Sequence, residues 1–381
     1  METQPAGIYI HVPFCIRKCR YCDFYSTTDL NRRAAFLRAL EREIELSPDP
    51  GPADSLYFGG GTPSLLDPEQ IAAVISAAHA VFSFKPDTEI TLEVNPGTVD
   101  RRVLADFKTA GVNRLNLGVQ SFNDHNLAFL GRIHSAGEAA HSVEAARAAG
   151  FDNLGLDLIY GLPGQTAADL RRDVGKAVAY RPEHLSCYLL TFERGTPLDR
   201  AREQGRVAPL PDNETADLFL LNRELLAAAG YAQYEISNFA RSADFQSCHN
   251  RKYWTFAPYV GLGPAAHTFL APVRSWNHRK LGIYLDDLKK GRLPIEEKET
   301  LTATQQMIEA VYLGLRQTRG ICVPEFDEKF TTEFETVFAP VLSDPFMEKL
   351  LARDADFCRL TPEGMLVMDT VVGRFVELIG S

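Results

Sequence analysis

Tyr9-Ile10-His11-Val12-Pro13-Phe14-Cys15-Ile16-Arg17-Lys18-Cys19-Arg20-Tyr21-Cys22-Asp23-Phe24 is the stretch on which the reading of this chain turns. A short β-like run ends at a proline and delivers Cys15, Cys19 and Cys22 onto one loop in C-x3-C-x2-C spacing. Three thiolates on a tight loop suit three irons of a cubane [4Fe–4S] cluster and leave the fourth iron without a protein ligand. An open position on a metal marks a site for chemistry rather than a structural staple. Two plainer readings compete. A structural zinc needs a fourth ligand, for which His11 is the neighbouring candidate, and a disulfide leaves one thiol over.

Composition sets the outer limits. The chain has 381 residues, 45% of them apolar and 24% charged, which suggests one large domain and a smaller one. No apolar run approaches the roughly 18 residues needed to span a bilayer, and the start lacks a basic-then-apolar export signal. Seven cysteines without such a signal point to reduced thiols and a cytoplasmic location. The net charge of −10 argues against nonspecific nucleic-acid binding, so no nucleic-acid partner is expected.

Outward from the cysteine loop, apolar β-like runs recur at residues 7–12, 55–58, 89–94, 113–119, 153–160 and 185–190. Amphipathic helical stretches at 34–46, 68–82, 100–110, 135–149 and 167–180 alternate with them. Six β–α units imply an α/β fold of parallel strands joined by right-handed crossovers. Periodicity leaves an open doubly wound sheet and a barrel both possible. The polar motifs favour a partial (β/α)6 TIM-type barrel, because they fall at the C-terminal ends of successive strands. The expected division is a barrel domain at 1–235, an aromatic, irregular connecting segment at 236–300 and a mainly helical domain at 301–381. The tail Leu360-Thr361-Pro362-Glu363-Gly364-Met365-Leu366 gives that last domain a winged-helix-like look, with a packing role.

Each strand-end motif has a functional and a plain reading. Gly59-Gly60-Gly61-Thr62-Pro63 bares backbone amides to a ligand or simply allows close packing. Glu93, in Glu93-Val94-Asn95-Pro96, is a ligand acceptor or one half of an ion pair. Gln120 closes the fourth strand. Arg132, in Leu130-Gly131-Arg132-Ile133-His134, carries a planar fork suited to a carboxylate, or forms a surface salt bridge. Asp157 interrupts an apolar strand, where an unpaired charge is costly, and this points to a ribose or a cation.

Together these motifs resemble the radical S-adenosylmethionine (SAM) superfamily. Within it they resemble the branch of oxygen-independent coproporphyrinogen III dehydrogenases (HemN) and heme chaperones (HemW). The likeness runs from Tyr9 to Trp254 and continues more weakly to the C-terminus. It implies a [4Fe–4S] cluster on Cys15, Cys19 and Cys22, with SAM chelating the open iron. It also implies a SAM site lined by Tyr9, Tyr21, Gly60, Gly61, Thr62, Glu93, Gln120, Arg132 and Asp157.

Within the branch, three features lean to the heme-chaperone side. Phe24 stands where dehydrogenases carry a further cysteine, and the first strand is reached by Gly7 without their long N-terminal extension. Cys248-His249-Asn250-Arg251-Lys252-Tyr253-Trp254 contains H-N-x-x-Y-W, a motif tied to heme in the chaperones. On this reading His249 is an axial ligand of heme iron, with Tyr253 and Trp254 as flat apolar surface and Cys248 as an alternative ligand. The plain reading is a packed loop with a hydrogen-bonded histidine, and His11 and His267 are read as structural. The resemblance implies heme as cargo, respiratory heme-accepting proteins as partners, and peripheral contact with a membrane. The alternative is radical decarboxylation of the propionates of coproporphyrinogen III to vinyl groups.

Overall fold

A computed structural model describes residues 4–379. Six strands, β1 (Ala6–Val12), β2 (Ala53–Gly60), β3 (Phe84–Val94), β4 (Arg114–Gln120), β5 (Leu154–Tyr160) and β6 (His184–Leu189), lie side by side in chain order and parallel. Between them run helices α1 (Arg33–Leu46), α2 (Pro68–Val81), α3 (Arg101–Thr109), α4 (Asp124–Leu130), α5 (Ala136–Ala148) and α6 (Ala167–Ala179). Strand order decides between the two architectures. A doubly wound sheet reverses its order at a switch point, whereas unbroken order with right-handed crossovers puts every helix on one face. The unbroken order makes this the partial (β/α)6 barrel.

Local chemistry fixes the helix starts. Ser135 and Thr166 form capping boxes with Glu138 and Asp169, and the Asp100 carboxylate accepts from the Val103 amide. Outer-face strand residues such as Ile8, Ile10, Leu56, Phe58, Leu92 and Leu117 pack with Phe36, Leu40, Val74 and Phe107 of the helices in one core. The opposite face is different. Tyr9, Tyr57, Thr91 and Arg114 align across four strands, as do Glu93 and Asn116, and Asp157 and Ser186. The strands therefore alternate apolar-out and polar-in, a pattern that reading them as apolar runs overlooked.

Residues beyond 235 are less irregular than expected. β7 (Ala232–Gln233) and β8 (Asn238–Ala240) extend the sheet past β6. On the other side β9 (Tyr259–Leu262) pairs parallel with β1, and β10 (His267–Leu270), β11 (Val273–Asn277) and β12 (Ile295–Thr300) follow antiparallel. Helices α7 (Pro197–Glu203), α8 (Asp212–Ala228), α9 (Cys248–Trp254) and α10 (Leu281–Lys289) fill the connections. α8 starts at Asp212, with Pro211 as its cap residue.

The C-terminal region begins with α11 (Ala303–Arg316), capped by Thr302 and Gln305. A three-stranded sheet follows, Ile321–Cys322, Phe357–Leu360 and Leu351–Arg353 in spatial order, with helices Val323–Phe330, Phe334–Val337 and Ala339–Leu342 between its first strand and its hairpin. Helix, strand, helices and hairpin in that order make a winged-helix arrangement around buried Phe326, Phe334, Phe338 and Phe375. Among the described residues, no helix is long and apolar enough to cross a membrane.

Candidate cofactor site

The cysteine loop leaves the C-terminal end of β1 and is closed at its base. Phe14 is fully buried against Phe36, the Cys15 amide donates to Thr27 O at 3.0 Å, and the Thr27 amide donates to Pro13 O at 2.7 Å. Its middle is pinned from both sides. Arg20 N donates to Leu130 O at 3.2 Å, Leu198 N donates to Arg20 O at 2.9 Å, and the Arg17 guanidinium donates to the carbonyls of Gly131 and Arg132 at 2.6 Å. On this frame Cys15, Cys19 and Cys22 are free, partly exposed thiols.

Two sulfurs already receive hydrogen bonds: Thr62 Oγ1 donates to Cys15 Sγ at 3.6 Å and Arg132 Nη1 to Cys19 Sγ at 3.5 Å. Burial pushes the Cys22 thiol up to about 11, against a lowering hydrogen bond from the Phe24 backbone, so capture of a metal there releases a proton. Among the described residues no three His, Cys, Asp or Glu side chains converge as a site for a single ion. Three free thiols with donors on two of their sulfurs fit the cubane cluster in chemical type.

The glycines are explained by packing. Gly60 has φ +104°, and a Cβ there would sit 2.6 Å from the His11 ring; one on Gly61 would sit 2.6 Å from Phe14 O. Only a bare backbone brings the end of β2 this close to the base of the cysteine loop. Gln120, at the end of β4, is buried with φ +66°, a conformation costing a non-glycine residue on the order of 1 kcal/mol and concentrated at functional sites.

Arg132 holds the mouth together. Its Nη2 donates to Asn95 Oδ1 at 2.6 Å and to Gly118 O at 2.8 Å, and its Nη1 also reaches the Tyr21 hydroxyl at 3.5 Å. Its Nε is buried and has no partner. Tyr21 packs against the small cluster of Leu130, Ile159, Leu162, Leu190 and Leu198. Deeper in the barrel, Tyr57 donates to Glu93 Oε1 at 2.8 Å, and Asn116 donates to Asp157 Oδ2 at 2.7 Å. Asp157 Oδ1 is buried without a partner, as is Thr91 Oγ1. Burial pushes Glu93 up to about 7, with the Asp157 charge adding to it, and pushes Asp157 up to about 6. Tyr57, Asn95 and Asn116 were not singled out from the sequence; their signal is the inward parity they share with Tyr9, Glu93 and Asp157.

His249 lies elsewhere. Its Nδ1 is 3.0 Å from Ser55 Oγ, its Nε2 is 3.0 Å from the Tyr253 hydroxyl, and a Cβ on Gly7 would lie 2.9 Å from its ring. Gly7 and Ser55 sit near the N-terminal ends of their strands, opposite the cysteine loop. From Gly7 to Val12 the strand climbs five residues, about 16 Å at ~3.3 Å per residue. α9 thus plugs the barrel floor, its first amides 3.1 and 3.4 Å from Glu89 Oε1, which also pairs with fully buried Arg114 through Oε2 at 3.4 Å. Burial pushes the imidazole down to about 3. The ring is neutral, the form that can ligate a metal, and both of its nitrogens are engaged, so a bond to heme iron would require one of the hydrogen bonds to Ser55 or Tyr253 to open. The Cys248 thiol, pushed up to about 12 by burial, is no readier. One face of the Trp254 ring is taken by Arg316, whose guanidinium carbon lies 4.4 Å from its centre, and the Trp254 carbonyl accepts from Gln317.

His11 is buried, with Nε2 2.8 Å from Tyr25 O, whereas His267 is exposed and stacks on Trp276. Neither joins the cysteine loop as a ligand.

Comparisons with known proteins bear on this geometry. A family model described as the radical SAM superfamily matches residues 9–177, and one described as the HemN C-terminal domain matches residues 301–367. The chain is 35% identical to the heme chaperone HemW of Bacillus subtilis (strain 168), over 97% of this chain and 98% of that protein. It is 32% identical to the heme chaperone HemW of Escherichia coli (strain K12), over 99% of each. Among solved structures, coproporphyrinogen III oxidase (HemN) from Escherichia coli, a radical SAM enzyme, superposes with a TM-score of 0.84 at 23% identity. That match covers 98% of this chain and 90% of the other and carries the fold alone.

Proposed function

Because the chain belongs to the HemW family of heme chaperones, within the radical SAM superfamily, we propose that it carries a [4Fe–4S] cluster and SAM at the barrel mouth and transfers heme to acceptor proteins. The observation that supports this most is the pairing of the cysteine loop with Arg132. One guanidinium reaches Cys19 Sγ, Tyr21 and Asn95 while keeping a buried, unpartnered Nε for a ligand.

Cys15, Cys19 and Cys22 would hold the cluster, and Thr62 and Arg132 would orient two of its sulfurs. Glu93 and Asp157, with their acidity tuned by burial, would accept from the amino and hydroxyl groups of SAM. Tyr9, Tyr21, Gly60, Gly61 and Gln120 complete the lining. When bound, the cluster supplies an electron to SAM and a coordination site for its amino-acid end. The chain's own share is to bind, orient and keep water out. Acceptors would be respiratory heme proteins, met at a membrane surface from the cytoplasmic side.

Phe24, in place of a further cysteine and 67% exposed beside the loop, favours a carrier over a coproporphyrinogen dehydrogenase. The test is anaerobic heme titration of cluster-reconstituted protein, followed by Soret absorbance, in parallel with incubation on coproporphyrinogen III. Saturable heme binding without decarboxylation is expected. Turnover of coproporphyrinogen without saturable heme binding would overturn the carrier reading.

A further inference from the structure

The cysteine loop turns an apolar outer side to solvent. Phe24 is more exposed than any other large apolar side chain among the described residues, Ile16 is 51% exposed, and Ile133, next to Arg132, is 37% exposed. Hydrogen bonds place all three on one surface. Arg17 donates to the carbonyls of Gly131 and Arg132, and Lys18 Nζ donates to Phe24 O at 3.0 Å. Exposed apolar groups gathered on one face and rimmed by polar ones mark a contact surface.

The rim is cationic on an acidic chain. Against a net charge of −10, residues 15–24 carry Arg17, Lys18 and Arg20 and a single carboxylate, Asp23. The three cations bond to carbonyls: Arg17 and Lys18 as above, and Arg20 Nη1 to Phe129 O at 3.4 Å. A carbonyl satisfies a donor and leaves its positive charge unneutralised. Asp23, by contrast, already has a counter-charge. Exposed Arg279 donates to Asp23 O at 3.0 Å and stands 3.8 Å from Asp23 Oδ1.

We propose that this face docks an acidic protein electron carrier, with Phe24, Ile16 and Ile133 as the apolar centre and Lys18 and its neighbouring cations as the rim. This rests on the cluster reading and deepens it by naming the partner that supplies the electron. One electron leaves the reduced carrier and enters the cluster, lowering the cluster's charge by one, and no bond forms or breaks. Residues 16–18 stand between Cys15 and Cys19, and Phe24 stands two residues past Cys22, so a carrier seated here lies against the ligand loop itself. Electron-transfer encounters use small faces, below about 1,200 Å² in total, and depend on complementary charge to steer them.

The probe is a flavodoxin, an acidic carrier whose flavin reports binding through fluorescence anisotropy. Cluster-reconstituted wild type is compared anaerobically, at low and high salt, with Lys18→Glu, Phe24→Ser and Lys85→Glu. Lys85 is exposed at the opposite end of the barrel and serves as the control. Iron content shows whether the loop survives each change, and Lys18→Gln, which removes the charge without reversing it, covers a loop distorted by Lys18→Glu. Saturable wild-type binding that weakens with salt is expected, at least about tenfold weaker in Lys18→Glu and Phe24→Ser, with Lys85→Glu close to wild type. Wild type that holds its cluster without binding flavodoxin, or loop variants that bind as wild type does, overturns the docking face and leaves the cluster reading standing. Loss of sedimentation with phosphatidylglycerol vesicles in the two loop variants, with flavodoxin binding intact, overturns it in favour of a membrane. Failure of wild type to take up iron overturns both readings.

Discussion

The imidazole of His249 lies against the phenol ring of Tyr57, centroids 5.1 Å apart and planes 27° from parallel. Tyr57 in turn donates its hydroxyl to Glu93 at 2.8 Å, so the floor plug and the proposed cofactor end share one aromatic stack. Tyr9 stacks on both rings, at 5.8 Å from His249 and 6.1 Å from Tyr57. His249 supports the barrel interior from below.

Replacing His249 with alanine should therefore act first on stability. The side chain is 1% exposed and engages Ser55 and Tyr253, so its removal opens a cavity and leaves two hydroxyls without partners. A loss of about 2–4 kcal/mol is expected in urea unfolding of the ligand-free chain. SAM affinity should fall as well, because Tyr57 loses the ring that fixes it beneath Glu93. An unchanged unfolding midpoint would contradict the plug geometry.

Acidity inside the barrel gives a second expectation. Glu93 is raised from 4.5 to about 7 and Asp157 from 3.8 to about 6, both chiefly by burial. A carboxyl with a folded pKa above its unfolded value stabilises the fold in its protonated form. That contribution is whole below the unfolded values and is lost as pH rises through the folded ones. Stability of the ligand-free chain should thus decline between about pH 4 and pH 7, with Glu93 contributing on the order of 3 kcal/mol. Glu93→Gln should flatten the profile in denaturant melts across that range. A positively charged ligand favours the ionised carboxylate, so SAM binding should strengthen over the same interval.

Arg132→Lys keeps a charge and discards the fork that spans Asn95, Gly118, Cys19 and Tyr21. All three cysteines remain, so iron and sulfide content after reconstitution should match wild type. SAM affinity, measured by equilibrium dialysis, should drop at least about tenfold, a cost of about 1.4 kcal/mol. Cys22→Ser should lose iron outright and, with the cluster's coordination site gone, SAM affinity as well.

Thr62→Val removes the hydroxyl that donates to Cys15 Sγ and changes little else in shape. A hydrogen bond to a cluster-bound sulfur eases reduction by offsetting negative charge. The reconstituted variant should titrate at a more negative potential, followed by electron paramagnetic resonance, with SAM affinity nearly unchanged. A potential equal to wild type would mean that the hydroxyl turns elsewhere once iron is present.

The cysteine loop, the strand-end motifs and the alternation of strands and helices were legible because each is local. Ser135 and Thr166 announce their helices within four residues. What a linear reading could not supply is partnership at long range. Nothing near His249 reveals that Ser55, 194 residues away, will take its Nδ1. Apart from Asp157, the inward polar row was hidden because Tyr57, Thr91 and Asn116 stand among apolar neighbours that face the helices. β9 to β12 escaped for a different reason: they are short, and β12 reads Ile-Glu-Glu-Lys-Glu-Thr, nearly all of it exposed and without an apolar face.

That last sequence carries a further consequence. Twelve strands that stop at β12 and β7 leave the sheet with two open rims, and an unpaired rim invites a strand from another molecule. β7 limits the danger by being two residues long. β12 is six residues long and meets it with charge: Glu296, Glu297, Lys298 and Glu299 in succession repel a second copy laid alongside. A barrel that does not close must keep its own rim from recruiting neighbours, and here four consecutive ionic side chains discourage edge-to-edge pairing.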